Sequence, residues 1–278
     1  MTAIAESSVR VDTSGATDVG LKRKTNEDHF VIVSLQKAAQ VRQTSIADSR
    51  VFDRIRGPEA FLFVVADGVG SRPGGALASQ TAITAFVEYI GQAAGCFHNL
   101  DADREHEFLE QLETGVRSAH QRLAKEFGPG GYGPATTLTM AMLVWPRAYL
   151  VHVGDSRAFY LRKGRLRQLT RDQTMGEYMV SAGVWTEQQA QSSSQGKVLA
   201  SAVGGSEIMI SVGLVDLQPG DTLLLCSDGL TAHVPDERIA EVLGGAANAE
   251  AACRDLVAAA LAGGGSDNVT VVVARMEG

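Results

Sequence analysis

The stretch FLFVVADGVG, Phe61–Gly70, decides how the rest of the chain is read. An unbroken apolar run rich in Val and Phe, stopping at an Asp-Gly pair, predicts a strand buried on both faces with Asp67 at its end. The shape recurs twice: Asp221–Gly229, DTLLLCSDG, delivers Asp228, and Ala148–Arg157, AYLVHVGDSR, delivers Asp155. Two more segments put carboxylates at a strand's start: Asn26-Glu27-Asp28 before His29–Val33, and Asp267-Asn268 before Val269–Val273. Antiparallel pairing sets the start of one strand beside the end of its neighbour, so these five sites can share one rim of a sheet. Two like charges about 4 Å apart repel by roughly 4 kcal/mol at an effective dielectric near 20. Such a rim calls for a cation, and oxygen-only ligands suit Mg²⁺ or Mn²⁺. Taken singly, each Asp-Gly or Gly-Asp is better read as an ordinary turn. The repetition of apolar run plus carboxylate is what selects a metal site.

Composition narrows the classes. The chain of 278 residues is 45% hydrophobic and 21% charged, a globular balance that we read as one domain. A net charge of −7 argues against a sequence-independent nucleic-acid binder. There is no apolar run of about 18 residues, and MTAIAESSVRVDTSG lacks the basic start and apolar core of a secretion signal. The expectation is a cytoplasmic protein with no membrane partner. Cys96, Cys226 and Cys253 are scattered and form no CxxC pair, so neither a disulfide framework nor a zinc site is expected.

In chain order, residues 1–15 are polar and unpatterned, and are expected to form a flexible terminus, frayed or paired at a sheet edge. Residues 36–59 read as a solvated insert. Helical spacing appears in Ala76–Ala94, with Leu77, Thr81, Ala85 and Phe86 as its stripe. It is clearer in Leu100–Phe127, along Phe108, Leu112, Val116, Ala119, Leu123 and Phe127. His106 and His120 lie on that second helix without ligand partners at metal spacing and read as surface residues. Strands are expected over Thr136–Trp145, Ala148–Val153, Ala158–Arg162 and Arg165–Leu169, the last two meeting at Lys163-Gly164. Polar Thr174–Ser194 reads as short-helical, followed by strands at Ile208–Val215, Thr222–Cys226 and Val269–Ala274. Helices at Asp236–Leu243 and Asn248–Leu261 complete a pattern of two sheets with helices outside.

Arg23-x-x-Asn26-Glu27-Asp28, Ala66-Asp67-Gly68, Gly154-Asp155-Ser156-Arg157, Ser227-Asp228-Gly229 and Ser266-Asp267-Asn268 stand in an order and spacing that resembles the metal-dependent protein phosphatases. The resemblance is to the bacterial branch of this PPM, or PP2C-like, family and runs from about residue 16 to 276. It implies an α+β fold, a four-layer α-β-β-α sandwich, with residues 174–195 as the family's flap. It implies hydrolysis of phosphoserine and phosphothreonine in proteins by water activated at two Mn²⁺ or Mg²⁺ ions. Asp67 would bridge the ions, Asp228 and Asp267 would complete one, the Gly68 carbonyl would serve the other, and Glu27 and Asp28 would hold its waters. Asp155 resembles the ligand of a third, weaker ion, and Arg23 the clamp on the phosphate. By itself Asp155 also fits a turn, and Arg23 also fits a solvated run, Lys22-Arg23-Lys24. The implied partners are phosphoprotein substrates and an opposing bacterial Ser/Thr kinase, with the enzyme itself a monomer.

The sequence also departs from the family. Animal members carry a His after the second motif's Asp-Gly and bacterial members commonly a Met; here the residue is Val69, so no side-chain acid is expected there. Gly70-Ser71-Arg72 stands where Gly-Gly-His is usual, which makes Arg72 a candidate for substrate preference. No CxxxxxR loop or GxSxG elbow is present, which disfavours a covalent mechanism. Two rival readings are a phosphatase for small phosphoesters and a metal-bearing binding module without turnover.

Overall fold

The computed structural model describes residues 9–36, 60–69, 74–93, 102–128 and 133–277. Ten strands are found there: β1 (Arg10–Asp18), β2 (Asp28–Leu35), β3 (Ala60–Asp67), β4 (Leu138–Val144), β5 (Arg147–Val153), β6 (Arg157–Arg162), β7 (Arg165–Gln168), β8 (Ser211–Asp216), β9 (Thr222–Cys226) and β10 (Val269–Glu277). All pairings are antiparallel, and they form two five-stranded sheets, β1-β10-β9-β6-β7 and β2-β3-β4-β5-β8. The helices are α1 (Gly75–Ala93), α2 (Ala102–Phe127), α3 (Met175–Ser181), α4 (Glu187–Ser192), α5 (Asp228–Thr231), α6 (Asp236–Gly245) and α7 (Ala249–Ala262).

The period-two alternation of a strand explains the layers. In β3, Leu62, Val64 and Ala66 face Phe86 and Ile90 of α1 and Leu112 and Val116 of α2. The intervening Phe63 and Val65 point the other way and pack with Leu223, Leu225 and Val272 of the second sheet. That second sheet uses Phe159, Leu224, Val271 and Val273 to bury Ile239 of α6 and Leu256 of α7. Three apolar layers thus separate four layers of secondary structure, the expected α-β-β-α sandwich. Because both faces of β3 are covered, its sequence carries no polar alternation.

Several expectations need correction. Of the two readings of residues 1–15, the frayed terminus fails for 10–15 and the sheet edge holds: they belong to β1, paired residue for residue with β10 from Arg10↔Glu277 to Asp18↔Val269. Leu77 is exposed, whereas Thr81, Ala85 and Phe86 of the expected stripe are buried as drawn, and Ala78, Ala82 and Ile90 join them on the buried face of α1. β8 starts at Ser211, because Ile208 and Ile210 pack on the helix-side core before the chain joins β5. His120 is half-buried rather than on the surface, and its Nδ1 accepts from the Gly204 backbone N–H at 3.1 Å. The segment 37–59, Arg72 and Cys96 lie outside the described residues. Among the described residues, no helix is long and apolar enough to cross a membrane.

Candidate functional site

The β2–β3 register sets Asp28 directly opposite Asp67. The other sheet brings Asp228 two residues after the end of β9, Asp155 two residues before β6 and Asp267 two residues before β10. All these positions lie at one end of the sandwich. There a cleft of about 610 Å³ is lined by Arg23, Glu27, Asp67, Gly68, Asp155, Asp228 and Asp267. Asp28 lies behind this lining, 3% exposed.

Backbone and hydroxyl contacts fix the carboxylates. The Asp67 N–H donates to Thr137 Oγ1 at 2.9 Å, and its carbonyl accepts from the Thr137 N–H and Thr136 Oγ1, both at 2.8 Å. Ser227 Oγ donates to Asp28 Oδ2 at 2.7 Å while accepting from the Thr270 N–H at 2.9 Å, which ties one sheet to the other behind the cleft. Asn268 uses its whole carboxamide. Its Oδ1 accepts from the Glu27 N–H at 2.8 Å, and its Nδ2 donates to the carbonyls of Val19 at 2.9 Å and Thr25 at 3.0 Å.

Glycines let the strand ends approach. A Cβ on Gly68 would stand 2.4 Å from the Gly75 carbonyl group, so this glycine is required by the first residue of α1. At Gly229 a Cβ would come within 1.9 Å of the Asn268 carbonyl oxygen.

Electrostatics record how closely the acids are gathered. Burial raises the Asp67 carboxyl well above its ordinary value, and the neighbouring charges of Asp28, Asp228, Asp155 and Asp267 raise it further. Burial pushes Asp28 up to about 6 against the opposing hydrogen bonds from Ser227 and Thr270. Asp155 is pushed up to about 8 by burial, with Asp228 and Asp172 adding to the rise. Asp228 is raised by burial and by Asp267, and is pulled back by a hydrogen bond with Asp67 and by the charges of Lys197 and Arg23. Arg23 is exposed and ion-paired: its Nη2 donates to Asp267 Oδ2 at 2.7 Å, and that bond raises its pKa.

These residues fit a hard cation. The donor set is all oxygen, the acids repel one another in the absence of positive charge, and Asp28 Oδ1 is buried without a hydrogen-bond partner. Among the described residues, no three acidic, histidine or cysteine side chains close into a preformed cage. The carboxylates line an open cleft instead, which suits ions such as Mg²⁺ that keep several of their waters.

The facing wall had no signal in the sequence. It is built by Lys197, at the end of a 3₁₀ turn (Ser194–Lys197), and by Val198, Leu199, Ala200, Ser201, Ala202 and Glu207. Ser227 and Asn268 lie inside the quoted motifs, where the neighbouring carboxylates carry the visible signal. Their roles depend on partners 199 and 241 residues away, which spacing does not reveal.

Comparison with known proteins agrees with this architecture. The family model described as protein phosphatase 2C matches residues 38–263. A Mycobacterium tuberculosis protein named serine/threonine protein phosphatase PstP is 39% identical over 217 residues, 77% of this chain and 40% of that protein. The chain thus spans well under half the length of this relative. The crystal structure of the Mycobacterium tuberculosis serine/threonine phosphatase PstP/Ppp superposes with a TM-score of 0.74 at 32% identity, covering 96% of this chain and 99% of that one. The catalytic domain of PstP in complex with two manganese ions gives a TM-score of 0.72 at 31% identity, covering 96% and 99%. With that match over most of its length, the chain belongs to the protein phosphatase 2C family.

Proposed function

We propose that this chain is a metal-dependent protein serine/threonine phosphatase that hydrolyses phosphoserine and phosphothreonine. The observation that carries the proposal is the cleft lined by Asp67, Asp155, Asp228 and Asp267, with Arg23 at the side and Asp28 behind Asp67, its Oδ1 left unpartnered. Asp67, Asp228, Asp267 and the Gly68 carbonyl would hold two Mn²⁺ or Mg²⁺ ions, with Glu27 as a neighbouring acceptor and Asp155 available to a third. When bound, such a pair supplies an acidified water and neutralises charge on the phosphoryl oxygens.

The chain's own groups then have distinct tasks. Arg23 presents a planar fork to two phosphoryl oxygens, already oriented by its bond to Asp267. Asp28, steadied at Oδ2 by Ser227, has Oδ1 free to accept a hydrogen bond from the attacking water. Val69 lines the cleft and has no ionisable group, so the leaving serine or threonine oxygen would take its proton from water. A cytosolic setting, a monomeric state and an opposing Ser/Thr kinase belong to the same proposal. Its test is phosphate release from a phosphothreonine peptide with Mn²⁺, with EDTA, and by Asp67→Ala. Turnover is expected with Mn²⁺ alone; release that persists in EDTA or in the variant sinks the proposal.

A further inference from the structure

β7 is the outermost described strand of its sheet, with β6 on one side and an open edge on the other. The hairpin register pairs Arg162 with Arg165, Leu161 with Leu166 and Tyr160 with Arg167. Residues directly opposite share a face. Leu161 and Leu166 therefore point together into the helix-side core, as their packing shows. Tyr160, Arg162, Arg165 and Arg167 point to the other side. Of these cations Arg162 is neutralised, its guanidinium bonded to Asp221 at 2.7 Å. Arg165 and Arg167 are exposed and have no ion pair among the described residues. Lys163, at the turn, is exposed as well.

The turn itself is the second observation. Lys163 at φ 49° and Gly164 at φ 74° make a two-residue connection with both residues left-handed, the geometry that favours Asn-Gly or Asp-Gly. Among the described residues Lys163 is the sole non-glycine residue with positive φ. A long cationic side chain therefore occupies a position where a short Asn or Asp relieves strain, and an Asp there would cancel the charge. In antiparallel pairing alternate residues turn their backbone groups outward. The Leu169 N–H bonds the Ala158 carbonyl at 2.7 Å, so by alternation Leu166 and Gln168 offer theirs to the open edge.

We propose that the open edge of β7, with Lys163, Arg165 and Arg167, is a docking strip for an extended acidic segment of the phosphoprotein substrate. The segment adds as a further strand, with backbone hydrogen bonds to the edge and carboxylates against the three cations. This rests on the phosphatase reading for the identity of the partner. The Arg157 end of the hairpin adjoins Asp155 of the cleft, and the Lys163 tip points away from it, so the strip engages substrate remote from the phosphorylated residue. The competing explanation is that edge cations simply deter strand-to-strand aggregation.

The test is fluorescence anisotropy with a fluorescein-labelled peptide of alternating Glu and Val, using the full chain, its triple variant Lys163→Gln/Arg165→Gln/Arg167→Gln and the single variant Lys163→Asn. Binding should weaken by about tenfold in the triple variant and fall with added salt. Lys163→Asn should weaken binding while leaving Tm equal or higher, a combination that a purely structural role does not give. Unchanged affinity in the triple variant overturns the proposal. So does tighter binding of a single-stranded oligonucleotide than of the peptide. In parallel, turnover of a short phosphothreonine peptide should be equal in all three proteins. Loss of that turnover in wild type refutes the phosphatase reading alone, since the anisotropy result stands independently.

Discussion

At the scale of single residues, the site depends on groups that never reach the cleft surface. Ser227 is one: its hydroxyl joins Asp28 to the Thr270 backbone, and both partners are buried. Ser227→Ala leaves an N–H and a carboxylate oxygen unmatched, which should cost about 1–3 kcal/mol in urea unfolding. It should also weaken Mn²⁺ binding by calorimetry, and a variant with wild-type Mn²⁺ affinity would remove Asp28 from the ion site. Arg23→Lys keeps the charge but loses the fork that spans two oxygens. KM for a phosphothreonine peptide should rise about tenfold, with Mn²⁺ affinity nearly constant; a fall in metal affinity instead would make Arg23 a partner of Asp267 and nothing more.

At the scale of elements, the site is assembled where strand ends meet helix starts, and glycine sets how near they come. Gly229→Ala would drive a Cβ into the Asn268 carbonyl at 1.9 Å, a backbone obstacle that cannot rotate away. We expect a loss of about 3 kcal/mol or more, read as a lower Tm, whereas alanine at Gly245, where a Cβ meets nothing within 4 Å, should not lower it. Equal Tm values for the two would show that the junction tolerates the added methyl. These elements were unequally legible in the sequence. β3 and β9 announce themselves because burial on both faces leaves an uninterrupted apolar run. In the stripe of α1 only Leu77 falls off the buried face, because alanines carry much of the packing there and give little contrast with neighbouring residues. β1 is only one of two readings of residues 1–15, and its extension to Asp18 carries no signal, because it is an edge strand of half-buried Asp, Thr, Ser and Gly, whose order comes from β10 rather than from its own composition. The far wall of the cleft beyond Lys197, from Val198 to Glu207, carries only isolated bridges and no period to detect.

At the scale of the whole molecule, stability carries a pH signature independent of the cleft. His152 is buried in β5, with Nδ1 against Thr139 Oγ1 at 2.8 Å and Nε2 against the Arg171 carbonyl at 3.1 Å. Burial lowers its pKa from 6.5 to about 4, against the pull of the Arg171 carbonyl and of Asp172. The folded state thus resists a proton that the unfolded chain accepts. This contribution is constant above about pH 6.5 and declines between 6.5 and 4, by about 1.36 kcal/mol per pH unit and about 3 kcal/mol at most. Urea unfolding of wild type beside His152→Gln should show the wild-type advantage at pH 7.5 narrowing at pH 4.5; a constant gap would mean the imidazole titrates alike in both states. The ends of the sandwich differ as sharply as its layers. Arg10 lies opposite Glu277 at one end, and Asp18 opposite Val269 at the end that carries the cleft. A short linker from Glu277 to Arg10, with a new start opened at the Lys163-Gly164 tip, would give a circular permutant with every carboxylate in place. Such a permutant should keep the Mn²⁺ affinity of the original chain, since the site is built from strand ends that lie side by side rather than from their order of translation.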